Sequence, residues 1–295
     1  MKKILFLLVI GLSVTTVLGQ EEDLPVNIGD NFSLEGALAM FKQSNSLENF
    51  ERLINDKKNN VTNLDLNNDG EIDYINVHDI KEGNTHVIVI STYLNDTEKQ
   101  DIATISIEKT GETEAVLQIE GDKDLYAENT IIEPTEEKET IKKTDGGPSS
   151  PIIEIQSLLV NVWFWPCVSY IYAPNYIVWA SPYRWGFRAY WWRPWHPFLY
   201  STFYVRCAPH RLYYHSASIR RIAMARNMYT PVRHSSALVI HNNSRTTAAR
   251  SHNVKSIIIR NASFRRVPSG NLKVKKIKVR NAPLRKTAIK IRPMR

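Results

Sequence analysis

Apolar residues fall at Leu34, Ala37, Leu38 and Phe41, and again at Leu47, Phe50, Leu53 and Ile54. Such spacing makes the stripe of an amphipathic helix, so the chain predicts two short helices in succession. Ser33 is placed to cap the first, and Asn45 with Glu48 three residues later to make a capping box for the second. Beyond residue 70 the pattern becomes that of short β-rich runs: 72–77, 86–90, 102–107 and 115–119. Glu82-Gly83-Asn84, Asn95-Asp96 and Thr110-Gly111 punctuate them as turns. The expected fold is α+β, with two short helices followed by an antiparallel β-meander over residues 20–132.

The pattern then fades. Residues 133–154 alternate Glu, Lys and Thr before Gly146-Gly147-Pro148-Ser149-Ser150, and read as a linker. Residues 155–215 hold all seven Trp, and 20 aromatic residues lie between Trp163 and Tyr214. Pro and Gly interrupt them, so an irregular aromatic-rich region is expected. From residue 216 to 295 there are 20 Lys+Arg and no acidic residue. In that basic tail, residues 254–266 recur twenty positions later as 274–286, with seven of thirteen positions identical. Their Val/Ile centres predict basic β-hairpin units.

Charge sharpens the division. The 295-residue chain carries 38 Lys+Arg and 30 Asp+Glu, a formal +8, yet every acidic residue lies at or before Glu154. Residues 20–154 hold 11 basic against 30 acidic residues, a net −19, whereas residues 155–295 carry +25. A hydrophobic content of 43% rules out wholesale disorder, and two Cys rule out a disulfide-dense scaffold.

The first 19 residues have the form of a signal peptide. Met1-Lys2-Lys3 is the positive start, Ile4 to Leu12 the apolar stretch, and Val17-Leu18-Gly19 the cleavage signal. The expected location is extracytoplasmic: periplasm, outer envelope or secreted. A disulfide is permitted there, and Cys167 with Cys207 is the candidate pair. Residues 155–183 have no charged side chain, which leaves a single-pass alternative in which they span a membrane and the basic tail is cytosolic. Pro166, Pro174, Asn161 and Asn175 oppose it.

One stretch carries specific chemistry. Asp65-Leu66-Asn67-Asn68-Asp69-Gly70-Glu71-Ile72-Asp73 places oxygen-bearing side chains at positions 1, 3, 5 and 9 and Gly at 6, where the chain must turn sharply. Calcium is the expected ion, held by Asp65, Asn67, Asp69, the Glu71 carbonyl and Asp73. Position 12, where the helical EF-hand needs an acid, is Asn76. An Asx-turn between helix and strand uses the same residue types without an ion. The loop resembles those of FG-GAP/VCBS repeats, where such a motif runs into a strand, and more loosely the dockerin loop; one copy implies neither a propeller nor cohesin binding. The whole layout resembles uncharacterised secreted proteins of Bacteroidota-type bacteria, which implies an envelope address and no particular activity.

No residues are assigned to catalysis. The basic half has no Asp or Glu to orient a His, and no Ser lies in a G-x-S-x-G context. A hydrolase without a recognisable site is the weaker reading. The favoured reading is a calcium-stabilised binding or structural protein of the envelope, in which Trp185, Arg188, Trp191, Trp192, Arg193 and Trp195 interleave cations with rings to meet a partner. That partner is an anionic envelope polymer, a glycan or a membrane surface. Self-association and docking of the basic half on the acidic half are the competing uses of the charge. Chromosomal DNA is not expected, given export.

Overall fold

The computed structural model describes residues 25–142 and 152–244, with no side-chain description for 136–158. The expected signal peptide at residues 1–19, residues 143–151 and the repeats at 254–286 lie outside the described residues. The chain divides into two compact units, residues 1–247 and 248–295, and every feature below belongs to the first.

Helices α1 (Leu34–Gln43) and α2 (Leu47–Ile54) form where the apolar stripe predicts them. The Ser33 hydroxyl caps α1 by accepting from the Gly36 N–H at 2.9 Å. The cap of α2 is Ser46, not Asn45: its hydroxyl accepts from the Asn49 N–H at 3.1 Å. Phe41 and Phe50 meet edge-to-face, with centroids 5.3 Å apart, and fix the two helices against each other.

Strands β1 (Ile75–Glu82), β2 (Thr85–Tyr93), β3 (Lys99–Lys109) and β4 (Ala115–Gly121) form the predicted antiparallel meander. Gly83 turns the first hairpin at φ +54, where a side chain would be strained. Between β2 and β3 the register shifts, so that Ile90 faces Ala103 and Ser91 faces Asp101. Ile102 is the extra residue, and this bulge lets both Ile102 and Ala103 join the core under the helices while Asp101 turns to the other face.

The expected linker is different in the structure. Residues β5 (Ile131–Lys142) and β6 (Ile152–Leu159) pair antiparallel, from Thr135 with Leu159 to Lys142 with Ile152. β5 continues the sheet from β4, and β7 (Tyr214–Ala217) pairs with its first residues. Alternation of Thr with Glu and Lys suits a paired strand as well as it suits a linker.

The aromatic region packs on this sheet. Val162, Trp165, Cys167, Val168 and Ile171 enter the same buried cluster as α1, α2 and the strands. Helix α3 (Pro166–Ile171) is only six residues, and no described helix is long and apolar enough to cross a membrane. A helical span at 155–183 is therefore not formed: β6, a six-residue helix and loops occupy that stretch. Helix α4 (Tyr200–Cys207) and a following 3-10 turn lead into β7. Helix α5 (Ala223–Tyr229) covers the opposite face of the sheet, where Ile222, Ala225 and Met228 bury Val87 and Val89. The last helix among the described residues is α6 (237–244).

The cysteines are both free and buried, so the expected bridge is absent. Cys167 lies beside Ser44 at the C-terminal end of α1, and Cys207 beside Ser33 at its N-terminal end. The ten-residue helix between them is about 15 Å long, and a disulfide spans less than about 7 Å between Cα atoms.

Trp165 is buried 6.5 Å from Phe41. Trp165→Ala is expected to cost about 3–5 kcal/mol in urea denaturation, with far-UV and tryptophan signals still moving in one transition. Early, separate loss of the tryptophan signal, leaving helix stability unchanged, would show the aromatic region to be independent.

Candidate functional site

The acidic loop connects the helical layer to β1. Asn68 and Gly70 both have left-handed backbone, φ +58 and +84, which curls residues 65–70 back on themselves. Asp65 accepts from the N–H groups of Asp69 at 3.1 Å and Gly70 at 2.9 Å. The Asn67 side chain accepts from Asp69 N–H at 3.0 Å and donates to the Asp69 carboxylate at 2.8 Å. Asp69 also accepts from Glu71 N–H at 2.8 Å, and Asp73 from Leu66 N–H at 2.6 Å. Burial, followed by the charges of Asp65 and Asp69, raises the Asp73 carboxyl to about 7, against the opposing Leu66 hydrogen bond and Arg188. Burial likewise raises Asp65, with Asp69 adding to it.

This is an oxygen-only donor set carrying mutual repulsion, chemistry that suits a hard cation. Asp65, Asn67, Asp69, Asp73 and the Glu71 carbonyl are the groups that fit one. In the conformation described the carboxylates serve backbone N–H groups, and among the described residues no three His, Cys, Asp or Glu side chains are gathered closely enough to hold a metal ion. Loading the loop therefore requires its carboxylates to turn from the backbone to the ion.

The loop is tied to the aromatic region. Ile72 N–H donates to the Trp195 carbonyl at 2.8 Å, and His196 Nδ1 lies 2.7 Å from the Gly70 carbonyl. Tyr74, which follows the loop, is the hub of a buried ring cluster: its centroid lies 5.1 Å from Trp192, 6.2 Å from Trp191 and 5.5 Å from Tyr183. The Tyr74 hydroxyl donates to Glu51 at 2.8 Å. Glu51 also accepts from Val77 N–H at 2.9 Å and the Ser181 hydroxyl at 2.9 Å, joining α2, β1 and the aromatic region in one buried carboxylate.

The predicted binding residues divide into two groups. Trp191, Trp192, Arg193 and Trp195 line one groove of about 630 Å³. Arg52, Asn55, Asp56 and Lys57 from the end of α2, with Tyr190 and Pro194, complete it. Trp185 and Arg188 lie instead beside Asp73, Tyr93 and Arg184, in a cleft of about 10 Å³ that has no room for more than a water. Arg188 stacks on Trp185 and Trp192, its guanidinium carbon 5.7 and 5.1 Å from their centroids. Lys57 lies 6.0 Å from Trp195 and 5.3 Å from Phe198. Sequence reasoning missed Arg52 and Lys57, since nothing local in a polar helix end marks its contact with rings about 135 residues away.

A second cavity, of about 400 Å³, lies between the sheet and α5. Two of its arginines are paired: Arg220 grips Glu120, and Arg233 donates to Asp122 at 2.6 and 2.7 Å and also pairs with Asp124. On the sheet, His86 Nδ1 meets Asp79 at 2.8 Å, with both side chains wholly buried, and burial, then the Lys99 and His234 charges, lowers His78 to about 4. Burial pushes the Cys167 thiol up to about 12, away from the reactive thiolate. Comparison with family models, curated proteins and solved structures finds no match to this chain.

Burial raises Glu51 from 4.5 to about 7, against the hydrogen bonds it accepts. The folded state thus holds this proton more tightly than the unfolded chain. Its contribution, about 3 kcal/mol, is full below pH 4.5 and is lost as pH rises through 7. Asp73 shares the window, so the comparison is with Glu51→Gln: its melting temperature is expected to fall less than the wild type's between pH 5 and 8. Parallel melting curves for the two proteins would remove Glu51 as a source of that dependence.

Proposed function

We propose that the chain is an exported, envelope-associated binding protein, with an N-terminal region stabilised by calcium and an aromatic, basic side that contacts an anionic envelope polymer. The observation that carries this reading is the sorting of the arginines. Arg220, Arg221 and Arg233 pair with Glu120, Glu133, Asp122 and Asp124, fastening the basic half to the sheet. Arg184, Arg188, Arg193, Arg206 and Arg211 form no ion pair among the described residues. Three of them stack on rings instead, Arg206 at 4.3 Å from Phe198 and Arg211 at 3.8 Å from Tyr204 alongside the Arg188 contacts. Cations laid on aromatic faces, with no carboxylate at ion-pair distance among the described residues, attract polyanions.

A membrane surface is the second reading. Leu199, Val205, Leu212 and Tyr213, on α4 and the turn after it, are each at least 68% exposed beside Arg206 and Arg211. Apolar side chains flanked by arginine suit an anionic bilayer interface.

The calcium part predicts that the full chain melts at higher temperature in millimolar calcium than in chelator, and that Asp65→Asn with Asp69→Asn removes the difference. Saturation to 100 times Kd corresponds to about 2.7 kcal/mol. No calcium-dependent shift in the wild type would leave the loop an Asx-turn.

For the polymer, co-sedimentation of the full chain with insoluble polyuronate is expected at low salt and to weaken steeply as ionic strength rises. Salt-insensitive sedimentation would contradict the electrostatic reading. Pelleting instead with anionic vesicles, and its loss in Leu199→Asp with Val205→Asp, would favour the membrane surface.

A further inference from the structure

The groove at the end of α2 has the dimensions and chemistry of a ligand site. Its volume of about 630 Å³ lies within the range of small-molecule sites. Part of its lining is aromatic: Tyr190 is exposed, Trp191 and Trp195 are half-buried, and Trp192 is buried. The end of α2 adds exposed Arg52 and Lys57, with Lys57 6.0 Å from the Trp195 centroid. Arg193 donates to the carbonyls of Tyr190 and Trp192, at 2.9 and 2.8 Å, which fixes the ring-bearing turn without neutralising the guanidinium. Three cations thus face one carboxylate, Asp56, whose Oδ1 is engaged by Lys58 N–H at 2.9 Å.

We propose that this groove binds an anionic sugar unit, with a pyranose face stacked on Trp191 and its acidic group between Arg52 and Lys57. The inference rests on the polymer-binding reading and names the unit recognised. A sugar presents an apolar C–H face to a ring and hydroxyl oxygens at its edge, and the net positive wall selects one that is charged. A purely apolar ligand would leave the cations desolvated, and a bare anion would make no use of the rings.

The test is calorimetry and tryptophan fluorescence on the full chain with trigalacturonate, neutral cellotriose and inorganic phosphate. Trigalacturonate is expected to bind saturably and at least tenfold more tightly than cellotriose, with a change in tryptophan emission. Trp191→Ala is expected to weaken it tenfold or more, and Lys57→Ala to weaken trigalacturonate while leaving the weak cellotriose binding unchanged. Trp191→Phe, which keeps a ring, is expected to restore much of the affinity if the alanine variant folds poorly. Phosphate binding as tightly as trigalacturonate would overturn the sugar assignment. Trigalacturonate binding unaffected by both Trp191→Ala and Lys57→Ala would overturn the groove. If polyuronate still sediments the protein while the trimer fails to bind, this inference falls and the polymer reading stands; if neither binds, both fall.

Discussion

Strand β2 is apolar on both faces, and that constraint organises the rest of the molecule. In β2, Ile88 and Ile90 point to the helices while Val87 and Val89 point away, and all four are wholly buried. Helices α1 and α2 cover only the first face. The second face needs a cover from elsewhere, and the basic half provides it through Ile222, Ala225 and Met228. A strand buried on both faces reads as a continuous apolar run, the form of residues 87–90.

Charge holds that cover in register. Arg220, Arg221 and Arg233 each meet a carboxylate on or beside β4 and β5, and the bulge at Ile102 presents Asp101 to the Tyr229 hydroxyl at 3.0 Å and the His234 N–H at 2.8 Å. Exposed ion pairs contribute little, but Asp122 and Asp101 are almost fully buried, and a buried carboxylate left alone is costly. These contacts therefore select one placement of α5 more than they add to overall stability. The segregation of acid and base along the chain is partly consumed internally, and among the described residues Arg188, Arg206 and Arg211 lie on ring faces instead.

The loop and groove form one mechanical unit. Trp195 accepts from Ile72 through its backbone and lines the groove through its side chain, while Tyr74 links the ring cluster to Glu51. A short path of hydrogen bonds and packed rings thus joins the loop to the groove wall. Glu51 buries a carboxylate at the centre of this unit, and that burial raises its pKa even though hydroxyl and N–H donors oppose the rise.

Local chemistry was enough to determine the two helices, the four meander strands and the acidic loop. Each rests on contacts a few residues apart: Ser33 on Gly36, the apolar stripe on one face, Asn68 and Gly70 at left-handed turns. Even there the choice of Ser46 over Asn45 as cap was settled by which side chain faced the exposed N–H. Tertiary structure alone decided that residues 131–142 pair as a strand, that the cysteines lie at opposite ends of α1, and that Arg52 and Lys57 face Trp191 and Trp195. Those outcomes depend on groups up to about 140 residues apart, and periodicity carries no information about which distant surface will cover a given face.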